Sequence, residues 1–290
     1  MGESLLSLIK NKLPEFSKSH KKIANFVLEH YDSAVFMTAL KIAQTVDVSE
    51  STVVRFANEI GFEGYPEFQK SLQDLVRKKL TDVQRIDIFS NSFENENLIE
   101  RTIKNDIRTI EETYEELDKK AFEQSVDVIC KAEKIYFLGA RSASIISSFL
   151  HYYLKLLFDN VILVDVSSDS EIYEFLFRIT PNDVCVITSF PRYSKNIVNA
   201  AKFAYDRGSK IVSITDSVDS PLAPFTSYLL IAKSAMASVV DSLTAAMSLS
   251  NCLISSIIMK KKDESRKRYE TLEKFWEKYA VYDNPEDIEI

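Results

Sequence analysis

Apolar positions along the first 80 residues recur at helical spacing. Ile23, Phe26, Val27 and Tyr31 form one set, and Leu40, Ala43 and Val46 a second. Val53, Phe56, Ala57 and Ile60 form a third at i, i+3, i+4 and i+7, the signature of an amphipathic helix. Gly61 follows directly, where a left-handed residue ends a helix. Pro66 stands where a first helical turn accepts proline, and the helix it opens turns Phe68, Leu72, Leu75 and Val76 inward. From Arg77 to Asn97 the periodicity fades and polar residues dominate, which predicts a linker, helical at its start. Ile99, Ile103, Ile107, Ile110, Tyr114 and Leu117 then follow at spacings of 4, 4, 3, 4 and 3, a helix with a narrow apolar seam. The seam fits packing on the next domain or on a second subunit equally well.

From Lys134 onward the pattern changes. Continuous apolar runs at Lys134–Leu138, Val161–Val164, Asp183–Thr188, Lys210–Thr215 and Tyr228–Ile231 predict five strands. Between them lie helices over Ser142–Phe158, with Ile145, Ile146, Phe149, Leu150, Tyr153 and Leu157 inward, and over about Ser194–Asp206, capped by Gly208. Buried strands alternating with helices argue for a parallel sheet covered on both faces. A long helix follows to about Met259. A charged helical tail from Lys260 carries Tyr269, Leu272, Phe275, Trp276 and Tyr279 on one side.

Composition bounds the function. The chain has 290 residues, 36 basic and 43 acidic, a net charge of −7. That excludes a uniformly basic nucleic-acid coat. The first 80 residues nevertheless carry 11 basic against 10 acidic side chains, leaving 25 against 33 on the rest. The sign favours phosphate at the N-terminal end. Cys130, Cys185 and Cys252 lie in apolar neighbourhoods at spacings that match no metal motif, and read as buried, reduced thiols in a cytoplasmic protein. The N-terminus lacks the apolar core of a signal peptide, and Asp241 and Asn251 break the apolar stretch Ala235–Met259, so no membrane segment is expected.

Two helices joined by a tight turn, Thr38 to about Thr45 and Glu50 to Ile60, carry the first functional signal. Asp47 breaks the first helix, Val48 plugs the turn, and Ser49 is placed to cap the second. The outward face of the second helix offers Ser51, Thr52, Arg55, Asn58 and Glu59. Such a face suits major-groove base edges, read by Arg, Asn and small hydroxyls near a helix N-terminus. Lys18, Lys21, Lys22, Lys41 and Lys70 are candidates for flanking phosphates. Any small helical domain also shows one polar face, so the pattern alone leaves both readings open.

A second signal lies in the loops after the first and third strands, since open parallel sheets bind ligands beyond the C-terminal ends of their strands. The first loop, Gly139-Ala-Arg-Ser-Ala-Ser, places Arg141, Ser142 and Ser144 at a helix start, where amides and dipole favour an anion. The other, Ser189-Phe-Pro-Arg-Tyr-Ser, places Ser189, Arg192, Tyr193 and Ser194 at another helix start, with Arg192 able to hold a phosphate or carboxylate bidentately. The bland alternatives are that the serines cap helices and that Arg192 pairs with a nearby carboxylate.

Met37-Thr-Ala-Leu-Lys-Ile-Ala, Val48-Ser-Glu-Ser-Thr-Val-Val-Arg-Phe-Ala and Gly61-Phe-Glu-Gly-Tyr-Pro-Glu-Phe together resemble the N-terminal DNA-binding domain of the RpiR/MurR family of bacterial transcription regulators. Ser49, Ser51, Thr52, Val53, Arg55, Phe56, Gly61, Phe62 and Tyr65 stand where that family's pattern has them. Lys134 to Met259 resembles a sugar-isomerase (SIS) domain on its Gly139–Ser144 loop, its Ser189 loop and Ser220-Pro-Leu-Ala. The resemblance implies an all-α helix-turn-helix domain over 1–80, a linker over 81–97 and, over 98–290, an α/β three-layer SIS domain with a parallel sheet and a helical tail. It implies a double-stranded DNA operator contacted by Ser49, Ser51, Thr52, Arg55 and Tyr65, to which the reading of the residues adds Asn58 on the outward face and Lys41 on the neighbouring helix. It also implies a phosphorylated sugar or similar small anion held by the two Ser-rich loops, the Gly139–Ser144 loop and the loop of Ser189 and Ser194, and a homodimer or homotetramer; the chemistry of the residues themselves adds Arg141, Ser142, Ser144, Arg192 and Tyr193 as candidate anion contacts. No cofactor, metal or catalytic residue is implied. One departure stands out. The family's loop after the third strand is commonly Ser-x-Ser-Gly-x-Thr, and here Pro191, Arg192 and Ser194 replace its second Ser, its Gly and its Thr. An anion gripped by the Arg192 guanidinium instead of backbone amides, a different ligand, or none all fit that change.

Two other classes compete. A sugar-phosphate isomerase needs a positioned base and a ring-opening acid. The three histidines are His20 and His30 in the N-terminal unit and His151 among apolar residues, and Ile231 to Leu249 contains no His or Glu. That composition argues against catalysis. A metabolite-binding module without DNA is disfavoured by the second-helix match.

Overall fold

The computed structural model describes residues 5–35, 37–77, 81, 83–86, 97–166, 168–234 and 240–282. Most of the expected linker 81–97, the side chain of Val76 and the start of the apolar stretch at Ala235 lie outside them. Internal contacts divide the chain into two units, Met1–Asn105 with Met236–Asp241, and Asp106–Ala235 with Ser242–Ile290.

The first unit is helical: α1 (Leu5–Lys12), α2 (Lys18–Glu29), α3 (Tyr31–Ala34), α4 (Ala39–Val46), α5 (Glu50–Glu59) and α6 (Tyr65–Arg77). Their apolar faces meet in one core built on Ile9, Ile23, Val27, Ile42, Val53, Phe56, Phe68 and Leu72. Phe56 lies at its centre, edge-on to Phe16 at 5.3 Å and to Phe68 at 5.9 Å. On α4 the buried side chains are Ala39, Ile42 and Ala43, whereas Leu40 is exposed. The expected register was therefore rotated, because Ile42 has more apolar surface to remove from water at the centre of that face. Val48 is only half-buried in the turn.

Helix α7 (Leu98–Glu116) runs across the division between the units. The second unit continues with α8 (Lys119–Lys131), β1 (Ile135–Gly139), α9 (Ala143–Leu154), β2 (Val161–Leu163), α10 (Asp169–Leu176), β3 (Val184–Thr188), α11 (Lys195–Asp206), β4 (Lys210–Thr215), β5 (Tyr228–Ile231), α12 (Thr244–Lys260) and α13 (Lys262–Lys278). All five strands are parallel, in the order β2-β1-β3-β4-β5. Side chains alternate across the sheet and divide its core in two. Ile135, Phe137, Val184, Val186 and Val212 pack with α9 and α12. Tyr136, Leu138, Cys185, Ile187 and Ile211 pack with α10 and α11. This is the three-layer α/β arrangement, with helices on both faces.

Two details, at Ile145 and at the cysteines, differ from expectation. Ile145 is exposed, because the buried stripe of α9 runs through Ile146, Leu150 and Leu154. Cys185 is buried and its thiol is pushed up by desolvation, but Cys130 is half-buried and Cys252 is exposed, so the uniform burial expected of the cysteines does not hold. Phe275 and Tyr279 of α13 are exposed, while Tyr269 packs partly against the sheet's first core.

Candidate functional site

Helices α4 and α5 are joined by three residues, and each part of the turn has a local cause. Thr38 caps α4 by accepting from Lys41 N at 3.1 Å. Asp47 ends α4 in the left-handed region (φ 55°), and its carbonyl accepts from Lys22 Nζ at 3.3 Å. Ser49 is extended, and its hydroxyl accepts from Thr52 N at 3.3 Å, so it serves as N-cap of α5. Val53, Phe56 and Ala57 fix α5 in the core, which leaves Ser51, Arg55 and Asn58 exposed and Thr52 half-buried. Arg55 Nε donates to Ser51 O at 3.2 Å, holding the guanidinium along the helix surface. Lys41, on α4, is exposed as well.

Three sequence-predicted residues are placed differently. Tyr65 is buried, its hydroxyl donates to Met37 O at 2.5 Å, and desolvation raises its pKa, so it braces the start of α6 against the segment before α4. Glu59 pairs with His20 Nδ1 of α2, which fixes the far end of α5. Lys22 is committed to Asp47, whose carboxylate is 3.8 Å from its ammonium.

In the second unit, β1 and β3 are adjacent and Gly139 is the register partner of Thr188. The chain leaves β1 for β2 on one side and returns to β3 on the other, so this pair marks the point where strand order reverses. The two candidate loops therefore start side by side. They lead into α9 and α11, which cover opposite faces of the sheet and both begin at this edge. Below the loops, the Thr188 hydroxyl donates to Ala143 O at 2.9 Å and meets the Ser147 hydroxyl at 2.7 Å. These contacts tie α9 to β3 in a buried setting.

The serines are disposed as follows. Ser142 and Ser194 occupy the N-cap positions of α9 and α11, yet neither side chain makes a capping hydrogen bond. Ser189 is buried, and its backbone N–H donates to Ile214 O at 3.2 Å. Ser144 donates its hydroxyl proton to Arg141 O at 2.6 Å, which leaves its oxygen as an acceptor. Arg141 and Arg192 both adopt left-handed backbone, φ 58° and 60°. Arg192 thus keeps a conformation that glycine adopts freely, although it carries a side chain. Tyr193 turns its hydroxyl to Asp216 Oδ1 at 2.7 Å, joining the loop after β3 to the end of β4. Asp216, the Thr188–Ser147 contact and the His20–Glu59 pair were not singled out from the sequence. Each joins residues at least 23 positions apart. His151 lies on α9 edge-on to Phe137, and burial first, then Lys155, lowers its pKa. Among the described residues no group of His, Cys, Asp and Glu could hold a metal ion, and no helix is long and apolar enough to cross a membrane.

Comparison with known proteins agrees with both units. Residues 3–79 match the helix-turn-helix domain of the rpiR family, and residues 128–256 match the SIS domain. An HTH-type transcriptional regulator of Clostridium perfringens is 25% identical over 229 residues, 78% of this chain and 80% of that protein. The HTH-type transcriptional regulator HexR of Escherichia coli is 26% identical over 226 residues, 76% of this chain and 74% of HexR. The Vibrio vulnificus NanR protein, solved in complex with ManNAc-6P, shares the fold at a TM-score of 0.58 and 23% identity, over 97% of this chain and 100% of that one.

Proposed function

This chain belongs to the RpiR-type helix-turn-helix transcriptional regulators with a SIS domain, and on that premise we propose that its SIS domain binds a phosphorylated sugar or related anionic metabolite that controls operator binding. The observation that carries the reading is the crevice where β1 and β3 part. Two helix N-termini open there, their N-cap serines Ser142 and Ser194 do not cap them, and Ser189 opens the loop after β3 as a buried residue. At the start of α9, Ser144 N and Ile145 N are already bonded to Arg141 O and Ser142 O, so the Ser142 and Ser194 hydroxyls are the donors offered to a phosphate. They also weigh against serines that merely cap helices. Arg192 adds a cation at the position of the family's glycine, so in this chain the side chain supplements backbone recognition. The ManNAc-6P bound by NanR supports putting amino-sugar phosphates among the first ligands to try.

The DNA side rests on α5. Arg55, Ser51, Thr52 and Asn58 read base edges, Ser49 and Lys41 meet the adjoining backbone, and two copies in a homodimer or homotetramer read a two-fold operator in the cytoplasm. Tyr65 supports that surface from beneath. The ligand acts by linkage, since it changes DNA affinity only by binding the DNA-competent and incompetent arrangements unequally. The regulator senses the metabolite and does not turn it over.

A thermal-shift screen of sugar phosphates, amino-sugar phosphates and inorganic phosphate tests the pocket, because a ligand of the folded state raises its melting temperature. Operator titrations at fixed salt, with and without the hit, test the control. The expected result is a hit that shifts the operator Kd, together with loss of specific binding in Arg55→Ala. An unchanged Kd at saturating hit refutes effector control, and turnover of a hexose phosphate would favour the isomerase reading.

A further inference from the structure

Helix α7 is amphipathic the wrong way round for a helix serving only its own chain. Its polar side faces the protein. Thr109 and Thr113 are buried, and Thr113 accepts from Lys233 N at 2.8 Å. The Asp106 carboxylate accepts from Ser242 Oγ at 2.6 Å and Thr244 Oγ1 at 3.0 Å. Its apolar side faces water: Ile99 is 73% exposed, Ile103 54%, Ile107 50% and Tyr114 67%. A soluble helix normally buries its isoleucines and wets its threonines. Ile103, Ile107, Ile110 and Tyr114 follow one another at spacings of 4, 3 and 4, the seam by which one helix packs along another. The seam left open between two partners by the sequence is therefore, over most of its length, exposed among the described residues.

The charges on the same helix select the occupant. Arg101, Lys104 and Arg108 all lie in its first part, 98–108, against Glu100 and Asp106. Its last part, 109–116, holds Glu111, Glu112, Glu115 and Glu116 and no basic residue. A second α7 laid antiparallel sets the basic part of each helix on the acidic part of the other. A parallel pair sets acid on acid. Antiparallel overlap also satisfies the self-complementarity of a two-fold interface. It places Ile103 opposite Ile110, Ile99 opposite Tyr114, and Ile107 beside its own copy near the axis, with Lys104 facing Glu111 on the flank. We propose that the Ile99–Tyr114 face of α7 is the contact by which two copies of this chain pair, antiparallel, about a two-fold axis.

The test is the mass of the full chain in solution, by sedimentation equilibrium at micromolar concentration. Ile103→Glu with Ile107→Glu puts charges on two exposed positions, so the fold is retained while the assembly falls to half its wild-type mass. A wild-type chain that is monomeric, or a double variant with unchanged mass, overturns the proposal. Orientation is read by charge reversal. Lys104→Glu and Glu111→Lys each create two like-charge contacts in an antiparallel pair, and each weakens pairing by about tenfold. The two together restore it, whereas a combination no tighter than either single change overturns the antiparallel arrangement. Neither operator nor metabolite enters this measurement. A double variant of unchanged mass leaves the function proposed above standing, a monomeric wild-type chain removes its two-copy reading of the operator as well, and failure of metabolite control leaves the pairing intact.

Discussion

Replacing Gly139 by alanine probes the point on which the pocket is built. An added Cβ would lie 2.4 Å from Thr188 Oγ1, 2.5 Å from Ser147 Oγ and 2.8 Å from Ala143 O. All three atoms belong to the buried knot that ties α9 to β3. The methyl group cannot be accepted in place, so either the two hydroxyls swing away or the loop lifts. Overpacking of this kind costs about 1–3 kcal/mol. Leaving a buried hydroxyl or the Ala143 carbonyl without its partner adds about 1–3 kcal/mol. The total is about 2–6 kcal/mol, which lowers the melting temperature of a unit of this size by roughly 10 °C. Scanning calorimetry of the full chain should show that loss in the transition of the α/β unit and not in that of the helical unit. Ser147→Ala removes one of the clashing atoms, so the double variant should lose about 1 kcal/mol less than the sum of the single losses. A Gly139→Ala chain that melts within about 2 °C of the wild type would refute the close-approach argument, and with it the rigid anchoring of the loop after β1.

Three further outcomes follow from the same contacts. Ser49→Ala removes the N-cap of α5 and should destabilise the helical unit by about 1 kcal/mol in urea titration, with no change if the cap is idle. Arg192→Gly relieves a left-handed side chain and should leave the α/β unit as stable as before or firmer by up to about 1 kcal/mol. The same change should reduce the thermal shift produced by a phosphorylated ligand, and an undiminished shift would exclude the guanidinium from the site. Tyr65→Phe loses the bond to Met37 O, a carbonyl that also accepts from Gln69 Nε2 at 2.9 Å, so the cost should stay near 1 kcal/mol. Operator affinity measured well below the melting temperature should not move, and a tenfold loss there would return Tyr65 to the DNA surface.

What was legible in the sequence was periodic. The strands Lys210–Thr215 and Tyr228–Ile231 could be read residue for residue, because buried parallel strands are uninterrupted apolar runs. The α4–α5 turn was legible because Thr38, Asp47, Ser49 and Gly61 each carry a local conformational preference. Helices α8 and α10 are not legible in the sequence, since α8 mixes its apolar residues with five charges and α10 is only eight residues long. Leu40 and Ile145 were assigned to the wrong side because a run of adjacent apolar residues does not fix a helix's rotation, and the deeper cavity decides. The candidate pocket was legible as two loops, but its floor was not. Thr188 and Ser147 are 41 residues apart, and only the parallel register brings them together under Gly139. Tyr65 shows the same limit, as an aromatic residue in a family pattern reads alike whether it faces a partner or the core.

The exposed thiol of Cys252 has a practical consequence. It stands on α12, while Cys185 is fully buried and Cys130 partly so. Maleimide dyes should therefore modify that position first, giving a single-site fluorescent reporter on the SIS domain without engineering. Left in air, the same sulfur can link two molecules covalently. Sizing runs without reductant would then register a crosslinked species whose mass has nothing to do with helix pairing.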